Sequence, residues 1–190
     1  MKHCCFLLIL ILTLTKGFSK SVNGYIITLT GDTIFIKIKL PGSFGGYNMN
    51  KKVEIIDSSG VEKILTPNDI KGYGYTNKSK DYTYRVKIIK DGSLYFLESI
   101  VVGQKASLYE YYVSTVVFNN SSTQEFYTFE KFDGTYLFMT NYESLETFRI
   151  KLKLFYKESL DIQKQIDTKF NSRRYIQRDI KEILDAINKS

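Results

Sequence analysis

Histidine and cysteine, the residues that most often act as nucleophiles, bases or metal ligands, occur only at the start of the chain. The single histidine is His3, and the two cysteines are Cys4 and Cys5. A cleavage after Ser19 would remove all three, so the chain from Lys20 onward would lack imidazole and thiol groups. Ser-His-Asp triads and zinc, copper or iron sites of the usual kinds are then excluded. We expect no metal site and no cofactor.

Carboxylate chemistry remains open, because a glycoside hydrolase needs only two acids that face each other across a cleft. Glu98 is the most unusual acid, since it lies on the apolar face of a predicted strand with Phe96 and Ile100. The simpler interpretation of Glu98 is a carboxylate near a strand end that reaches water or a basic neighbour. Most of the other candidates fall in predicted turns or at exposed strand positions, and they are Asp32, Asp69, Glu110 and Glu130. We assign no catalytic residue.

Tyrosine is abundant, with 15 residues, and several of them lie close together in the β-prone part of the chain. Exposed tyrosine rings on a sheet can stack on sugar rings or anchor a protein partner. Tyrosine is also a preferred strand residue that caps the edge of a core. The motif Tyr73-Gly74-Tyr75 lies in a segment that we expect to be exposed. The predicted binding residues are therefore Tyr73, Tyr75, Tyr82 and Tyr84.

The first nineteen residues have the layout of a secretory signal. A short positive lead precedes a largely apolar run over residues 4–15, and small residues stand at positions −3 and −1 of a cleavage site at Ser19. The run is too short to span a bilayer, and no later segment has the composition of a transmembrane helix. We expect an exported protein, periplasmic or associated with the outer envelope, whose signal peptide is cleaved near Ser19.

From the leader to Asn141 the sequence is typical of consecutive β-hairpins. Apolar residues alternate with polar ones over residues 34–40, which predicts a strand with one buried face. Polar turns separate the strand-like runs, and Asp133-Gly134 is the strongest hairpin signal. Residues 119–123 predict another polar turn, and residues 66–70 predict one turn of helix at a corner of the sheet.

After Asn141 the apolar residues recur at three- and four-residue steps, which is typical of amphipathic helices. Residues 149–154 also alternate, so helix and strand both remain open there. The predicted fold class is α+β, with an antiparallel β-rich region of hairpins followed by a C-terminal α-helical tail. The hairpins form either an open sheet or a partly closed barrel. The predicted organisation is a signal peptide at 1–19, the β-rich domain at 20–141 and the helical tail at 142–190, packed on or beside the sheet.

The chain is basic, with a formal net charge of +7. This charge permits affinity for acidic surfaces, although a solvated basic surface explains it as well. An exported protein is not expected to meet nucleic acid. The partners that we expect are an envelope protein or a polysaccharide, and the oligomeric state stays open.

Five segments behind the leader have the character of a family signature. They are 24–34 (GYIITLTGDTI), 66–75 (TPNDIKGYGY), 96–98 (FLE), 103–111 (GQKASLYEY) and 186–188 (AIN). Together with the signal peptide, they resemble a loose group of uncharacterised exported proteins common in Bacteroidota. The resemblance spans most of the chain after the leader. It implies envelope localisation, and it implies no catalytic residue because the group has no known activity.

These observations predict a non-catalytic binding or interaction module of the cell envelope, with the β-region as platform and the helical tail as docking element. Two alternatives stay open. A small β-barrel carrier of an apolar ligand would need a closed sheet around an empty apolar cavity. A carboxylate-dependent hydrolase would need two acids across a cleft.

Overall fold

One antiparallel sheet of ten strands makes up most of the fold. The structure is a computed structural model that describes residues 20–41, 49–117, 120–170 and 176–189. The strands are β1 (Ser21–Thr28), β2 (Thr33–Lys39), β3 (Val53–Ile56), β4 (Glu62–Leu65), β5 (Ile70–Asn77), β6 (Lys80–Ile88), β7 (Leu94–Val101), β8 (Ala106–Val117), β9 (Asn120–Lys131) and β10 (Tyr136–Thr140).

Nearly all strands pair with their neighbours in the chain. The order across the sheet is β10-β9-β8-β7-β6-β5-β1-β2-β3-β4, so β1 lies between β2 and β5 in the interior. The outermost strands, β4 and β10, are the two edges of the sheet. The sheet is therefore open, which decides between the two alternatives that the sequence left for the β-rich region.

Glycine and aspartate form hairpin turns at the predicted positions. At the tip of the β9–β10 hairpin, Gly134 has a φ of 78°, a conformation that L side chains rarely adopt. Beside it, the Asp133 carboxylate accepts a hydrogen bond from the backbone N–H of Thr135 at 2.9 Å. The aspartate thereby satisfies a donor within the turn, and the predicted Asp133-Gly134 hairpin is confirmed.

The segment at residues 66–70 closes as a single hydrogen-bonded turn and not as a helix. The backbone N–H of Asp69 donates to the Thr66 carbonyl at 3.0 Å, and the N–H of Thr66 donates to the Asp69 carboxylate at 2.8 Å. Ile70 then begins β5. One such turn fixes several dihedral angles for few hydrogen bonds, so it does not extend into a helix against the pairing of β5.

The predicted polar turn at residues 119–123 is largely wrong. β9 begins at Asn120, and its first residues pair with the end of β8, down to Val117 opposite Asn120. Residues 120–123 pair with β8 in the ladder between these two long strands, which binds the backbone groups that face β8. Pairing with a partner strand therefore overrides the turn preference of the local sequence.

Among the described residues, three helices follow the sheet: α1 (Leu145–Phe155), α2 (Leu160–Lys169) and α3 (Ile176–Lys189). Residues 149–154 lie within α1, so the ambiguous segment is helical. Ser144 caps α1 by accepting a hydrogen bond from the backbone N–H of Thr147 at 3.0 Å. The sheet and these helices confirm the α+β fold class. In the part of the chain that the structure describes, no helix is both long and apolar enough to cross a membrane.

The two faces of the sheet differ in their cover. Directly opposed residues on paired strands point to the same side, so a row running from Tyr73 on β5 to Tyr127 on β9 marks one face. Phe148 of α1 packs edge-on against Tyr127 of this row, and we call this side the helix face. The alternate residues, such as Tyr25 and Thr83, mark the opposite face.

The helix face holds two separate hydrophobic clusters. The tyrosine cluster covers the β1–β7 half and includes Ile38, Val53, Tyr73, Tyr84 and Phe96. The helical cluster joins β7–β10 to the three helices and includes Leu108, Phe129, Phe148, Ile166 and Leu184. The opposite face has a smaller cluster of Ile89, Leu97, Tyr109 and Tyr111, which contains no helix residue. The helices therefore cover one half of one face.

Candidate functional site

The four tyrosines predicted to bind lie together on the helix face of β5 and β6. Tyr73 stands opposite Tyr84, and their stacked rings have centroids 4.6 Å apart at an interplanar angle of 12°. Tyr75 stands opposite Tyr82, with centroids 5.0 Å apart at 19°. The structure therefore brings all four predicted residues into one stacked group.

The exposure that we expected for Tyr73 and Tyr75 is not found. Tyr73 is 0% exposed and Tyr75 is 8% exposed. Met49 covers both rings, because the Tyr73 hydroxyl donates to the Met49 carbonyl at 2.9 Å and the Tyr75 hydroxyl donates to its sulfur at 3.9 Å. Burial raises the pKa of Tyr73 well above its usual value, so its phenol stays neutral. These rings pack as core, and a binding role for Tyr73, Tyr75, Tyr82 and Tyr84 stays a prediction.

The opposite face of the sheet presents a large aromatic side chain to solvent. Phe35 is 82% exposed although it lies within β2, and it stands directly opposite Tyr25 of β1. Burying a phenylalanine side chain would stabilise the fold by roughly 1.5–3 kcal/mol, so this position forgoes a sizeable contribution to folding. Single exposed apolar side chains are common on protein surfaces, but an exposed aromatic ring beside a groove can stack on a ligand.

A groove of about 400 Å³ lies on one side of Phe35. The aromatic residues that line it are Tyr25, Phe35, Tyr75 and Tyr82. Its polar side chains are Asn23, Thr76, Asp81 and Thr83. The Thr76 hydroxyl donates to the Asp81 carboxylate at 2.6 Å, and the hydroxyls of Tyr25 and Thr83 are 3.3 Å apart. These hydrogen bonds hold the polar groups in place before a ligand arrives.

A second groove, of about 580 Å³, lies between Phe35 and the β3–β4 turn. Lys37 and the turn residues Asp57 and Ser58 contribute polar groups to it. Hydrogen bonds from Lys63, and then from residues of the turn itself, hold the pKa of Asp57 well below its usual range. Asp57 is therefore a charged acceptor at neutral pH, with Lys63 Nζ 2.8 Å from its carboxylate.

The shape of the first groove depends on a glycine in β5. Gly74 lies on the opposite face between Tyr25 of β1 and Thr83 of β6. A Cβ atom added at Gly74 would lie 2.5 Å from both Cζ and Oη of Tyr25. Only glycine therefore lets the ring of Tyr25 lie across β5, where it forms a wall of the groove.

Sequence reasoning named Tyr75 and Tyr82, which also line the first groove, but it assigned no other residue around Phe35 to a site. The sequence did contain an indication. In the alternating segment, Phe35 points to the same side as Thr33, Lys37 and Lys39, so it is an aromatic residue on an otherwise polar side. The side chains that line the two grooves offer an amide, hydroxyls, the carboxylates of Asp57 and Asp81, the ammonium group of Lys37 and several aromatic rings. This combination suits a polar ligand that also has apolar faces.

The candidate acids lie elsewhere. Glu98 is on the helix face between Tyr84 and Glu110 of the flanking strands, and Lys80 Nζ is 3.5 Å from its carboxylate. Lys80 is thus the basic neighbour that the simpler interpretation requires. Glu130 is on the opposite face and pairs with Lys87 Nζ at 2.6 Å.

Asp32 and Asp69 lie in turns, as predicted, whereas Glu110 does not lie at an exposed position. It is only 1% exposed, because it shares the helix face of β8 with the fully buried Leu108. Within the described ranges, no three His, Cys, Asp or Glu side chains are placed so that they could hold a metal ion.

Comparisons with protein-family models, curated proteins and solved structures found no match for this chain. Its function must therefore be inferred from the geometry and chemistry of its own residues.

Proposed function

We propose that this chain is an exported cell-envelope protein that binds a ligand without transforming it, and that the surface around Phe35 is its binding site. The observation that carries the proposal is the 82% exposure of Phe35 between two grooves. The hydrophobic cluster on this face contains no helix residue, so a ligand can approach without displacing a described helix.

The partner that suits these grooves best is a polysaccharide. A sugar ring has an apolar side that stacks on an aromatic ring, and Tyr25 and Phe35 supply two such rings. Its hydroxyl groups both donate and accept hydrogen bonds, as do the hydroxyl and amide groups of Thr83 and Asn23. Two grooves that flank one exposed ring suit a chain of several sugars, because such a chain extends past the ring on both sides.

The test is retention of the protein, from Lys20 to Ser190, on insoluble peptidoglycan, xylan and cross-linked dextran at physiological salt. We expect Phe35→Ala to weaken retention about fivefold or more, since stacking of one ring contributes about 1 kcal/mol. The same change should alter the free energy of unfolding by no more than about 0.5 kcal/mol, because the side chain is exposed.

Phe132→Ala is the matched control. Phe132 is also 82% exposed, but it lies in the β9–β10 turn at the far end of the sheet. Equal retention of the wild-type protein and both variants would contradict the proposed site. If the wild-type protein captures an envelope protein and no polysaccharide, and Phe35→Ala loses that capture, the proposed site stands and the proposed ligand is wrong. Amino-terminal sequencing of the protein from its native host tests export, which predicts a start at Lys20.

A further inference from the structure

The partly buried cations of this protein are paired with acids, with one exception. Within the described ranges, nine Lys and Arg side chains are partly buried. Eight of them form an ion pair with Asp or Glu, and they are Lys39, Lys52, Lys87, Lys131, Arg149, Lys151, Lys153 and Lys169. The ninth is Arg85 of β6. Because removing a charge from water costs free energy unless a partner compensates for it, Arg85 stands apart from the other eight.

Arg85 has no partner of its own among the residues that the structure describes, since its guanidinium group forms no ion pair and donates no hydrogen bond to them. All 20 Asp and Glu residues of the chain lie within the described ranges, so no further acidic side chain remains that could pair with it. A guanidinium group carries five N–H donors in a planar fork. Arg85 therefore presents charged donors for which the described chain supplies no acceptor.

Arg85 lies on the same face as the proposed binding site and beside it. It stands directly opposite Gly72 of β5, and Gly74, two residues further along β5, stands opposite Tyr25. A Cβ atom added at Gly72 would lie 3.4 Å from Cδ of Arg85, so the arginine stem runs past the space that a side chain at this position would fill. The Tyr25 ring and the Arg85 stem thus lie beside neighbouring glycine positions of β5, which are about 7 Å apart.

We propose that the ligand of this surface is an acidic polysaccharide, and that Arg85 binds the carboxylate of a sugar next to the one that stacks on Tyr25 and Phe35. This ligand class rests on the proposed function, because it refines what binds at the same surface. A guanidinium group and a carboxylate match each other through two parallel N–H···O hydrogen bonds. The ligand carboxylate thereby gives Arg85 the kind of partner that the other eight partly buried cations find within the protein.

The neighbouring charges determine on which side of the Tyr25 ring the carboxylate lies. Asp81 is four residues before Arg85 on β6, points to the same face and lines the first groove. It repels a second negative charge, so the acid group of the ligand lies towards Arg85 and away from Asp81. Lys87, the next residue of β6 on this face, already binds Glu130, with Nζ 2.6 Å from the carboxylate. Arg85 is therefore the cation of β6 on this face that remains for the ligand.

Retention of the protein, from Lys20 to Ser190, on immobilised acidic and neutral polysaccharides tests this proposal. The acidic polymers are polygalacturonate, alginate and hyaluronate, and the neutral ones are xylan and dextran. We expect at least one acidic polymer to retain the wild-type protein about tenfold more strongly than either neutral polymer, because a charged hydrogen bond adds to the stacking. Methyl esterification of the carboxyl groups of that polymer should remove the difference.

Variants of Arg85 separate its contact from the general attraction of a basic protein to an acidic polymer. Arg85→Gln should lose the preference for acidic polymers, and Arg85→Lys should keep only part of it, because lysine retains the charge without the planar fork. Lys164→Gln is the matched control, since it removes one positive charge from an exposed position of α2. This control should keep the preference of the wild-type protein.

Each outcome assigns an error to one proposal or to both. If Arg85→Gln keeps the full preference, or if the esterified polymer binds as well as the free acid, Arg85 does not bind a carboxylate and the acidic ligand class is wrong. If the wild-type protein binds neutral polymers as strongly as acidic ones, and Phe35→Ala weakens that binding, the proposed function stands and only the acidic class is wrong. Retention on none of the polymers would contradict both. The esterified polymer requires only the wild-type protein, so the test does not depend on the folding of Arg85→Gln.

Discussion

Gly74 is the residue on which the first groove depends most directly. Its missing side chain leaves the space that the Tyr25 ring occupies, and the Tyr25 hydroxyl is 3.3 Å from that of Thr83. An alanine there would force the ring away from β5, and the wall of the groove would move with it. The absence of a methyl group at position 74 therefore preserves the shape of the first groove.

We predict that Gly74→Ala lowers the free energy of unfolding by about 1–3 kcal/mol, because overpacking displaces the Tyr25 ring. Urea denaturation of Gly74→Ala, Tyr25→Ala and the double variant measures the effect. With the Tyr25 ring absent, the added methyl group meets no ring, so the double variant should be less destabilised than the sum of the single ones. Strictly additive losses would show that the two residues do not interact.

Sequence reasoning was least successful at this scale, because exposure depends on distant parts of the chain. The period of two places Tyr73 and Tyr75 on one face, but Met49 buries them, and Met49 lies more than twenty residues earlier. Buried Glu110 accepts a hydrogen bond from the side-chain amide of Gln177 on α3, across a separation of 67 residues. Neither contact is indicated by the local sequence. The exposure of Phe35, in contrast, agrees with its place on the polar side of the alternating pattern in its own strand.

Hairpins and helices were more predictable, because their signals are local. Asp57, Asp91 and Asp133 each accept a backbone N–H two residues further along a turn, which is the pattern that aspartate-glycine sequences favour. Prediction failed for residues 119–123, where the ladder between β8 and β9 provides an alternative for the backbone. The position of β1 beside β5 could not be predicted either, since pairing between strands separated by 41 residues, 29–69, has no sequence period.

The last turn of α3 is joined to the connection between β7 and β8 by one side chain. Asn188 Oδ1 accepts the backbone N–H groups of Lys105 and Ala106, each at 3.0 Å, and its Nδ2 donates to the Ala106 carbonyl at 2.9 Å. The shared role of these contacts is to fix the C-terminal end of the helix, while Gln177 contacts the sheet at the other end.

We predict that Asn188→Ala lowers the free energy of unfolding by about 1–3 kcal/mol, since three hydrogen bonds are lost and the partly buried N–H of Ala106 is left without its acceptor. Asn188→Asp keeps an oxygen acceptor for the two N–H groups and loses only the donor, so its effect should be smaller. Urea denaturation compares the two variants. An equal loss in both would mean that the two N–H contacts contribute little.

Across the whole molecule, the helix face is divided by acids. The tyrosine cluster and the helical cluster share no buried residue, and Glu98 and Glu110 stand in the row between them. The ten described strands form one hydrogen-bonded sheet across both halves, and β7 contributes to each cluster, but the side-chain packing is split. Loss of packing in one half should therefore affect that half first, because the strand ladder is the main connection across the row of acids.

Phe96 and Phe129 allow a matched test, since both are phenylalanines with 0% exposure and each belongs to a different cluster. Phe96→Ala and Phe129→Ala should each cost about 3–5 kcal/mol, because each leaves a cavity of similar size. Hydrogen exchange should then distinguish the two variants. Phe129→Ala should speed exchange in the helices and in β8–β10, whereas Phe96→Ala should speed exchange in β1, β5 and β6. If both variants speed exchange across the same amides, the packing acts as one unit and the row of acids does not divide it.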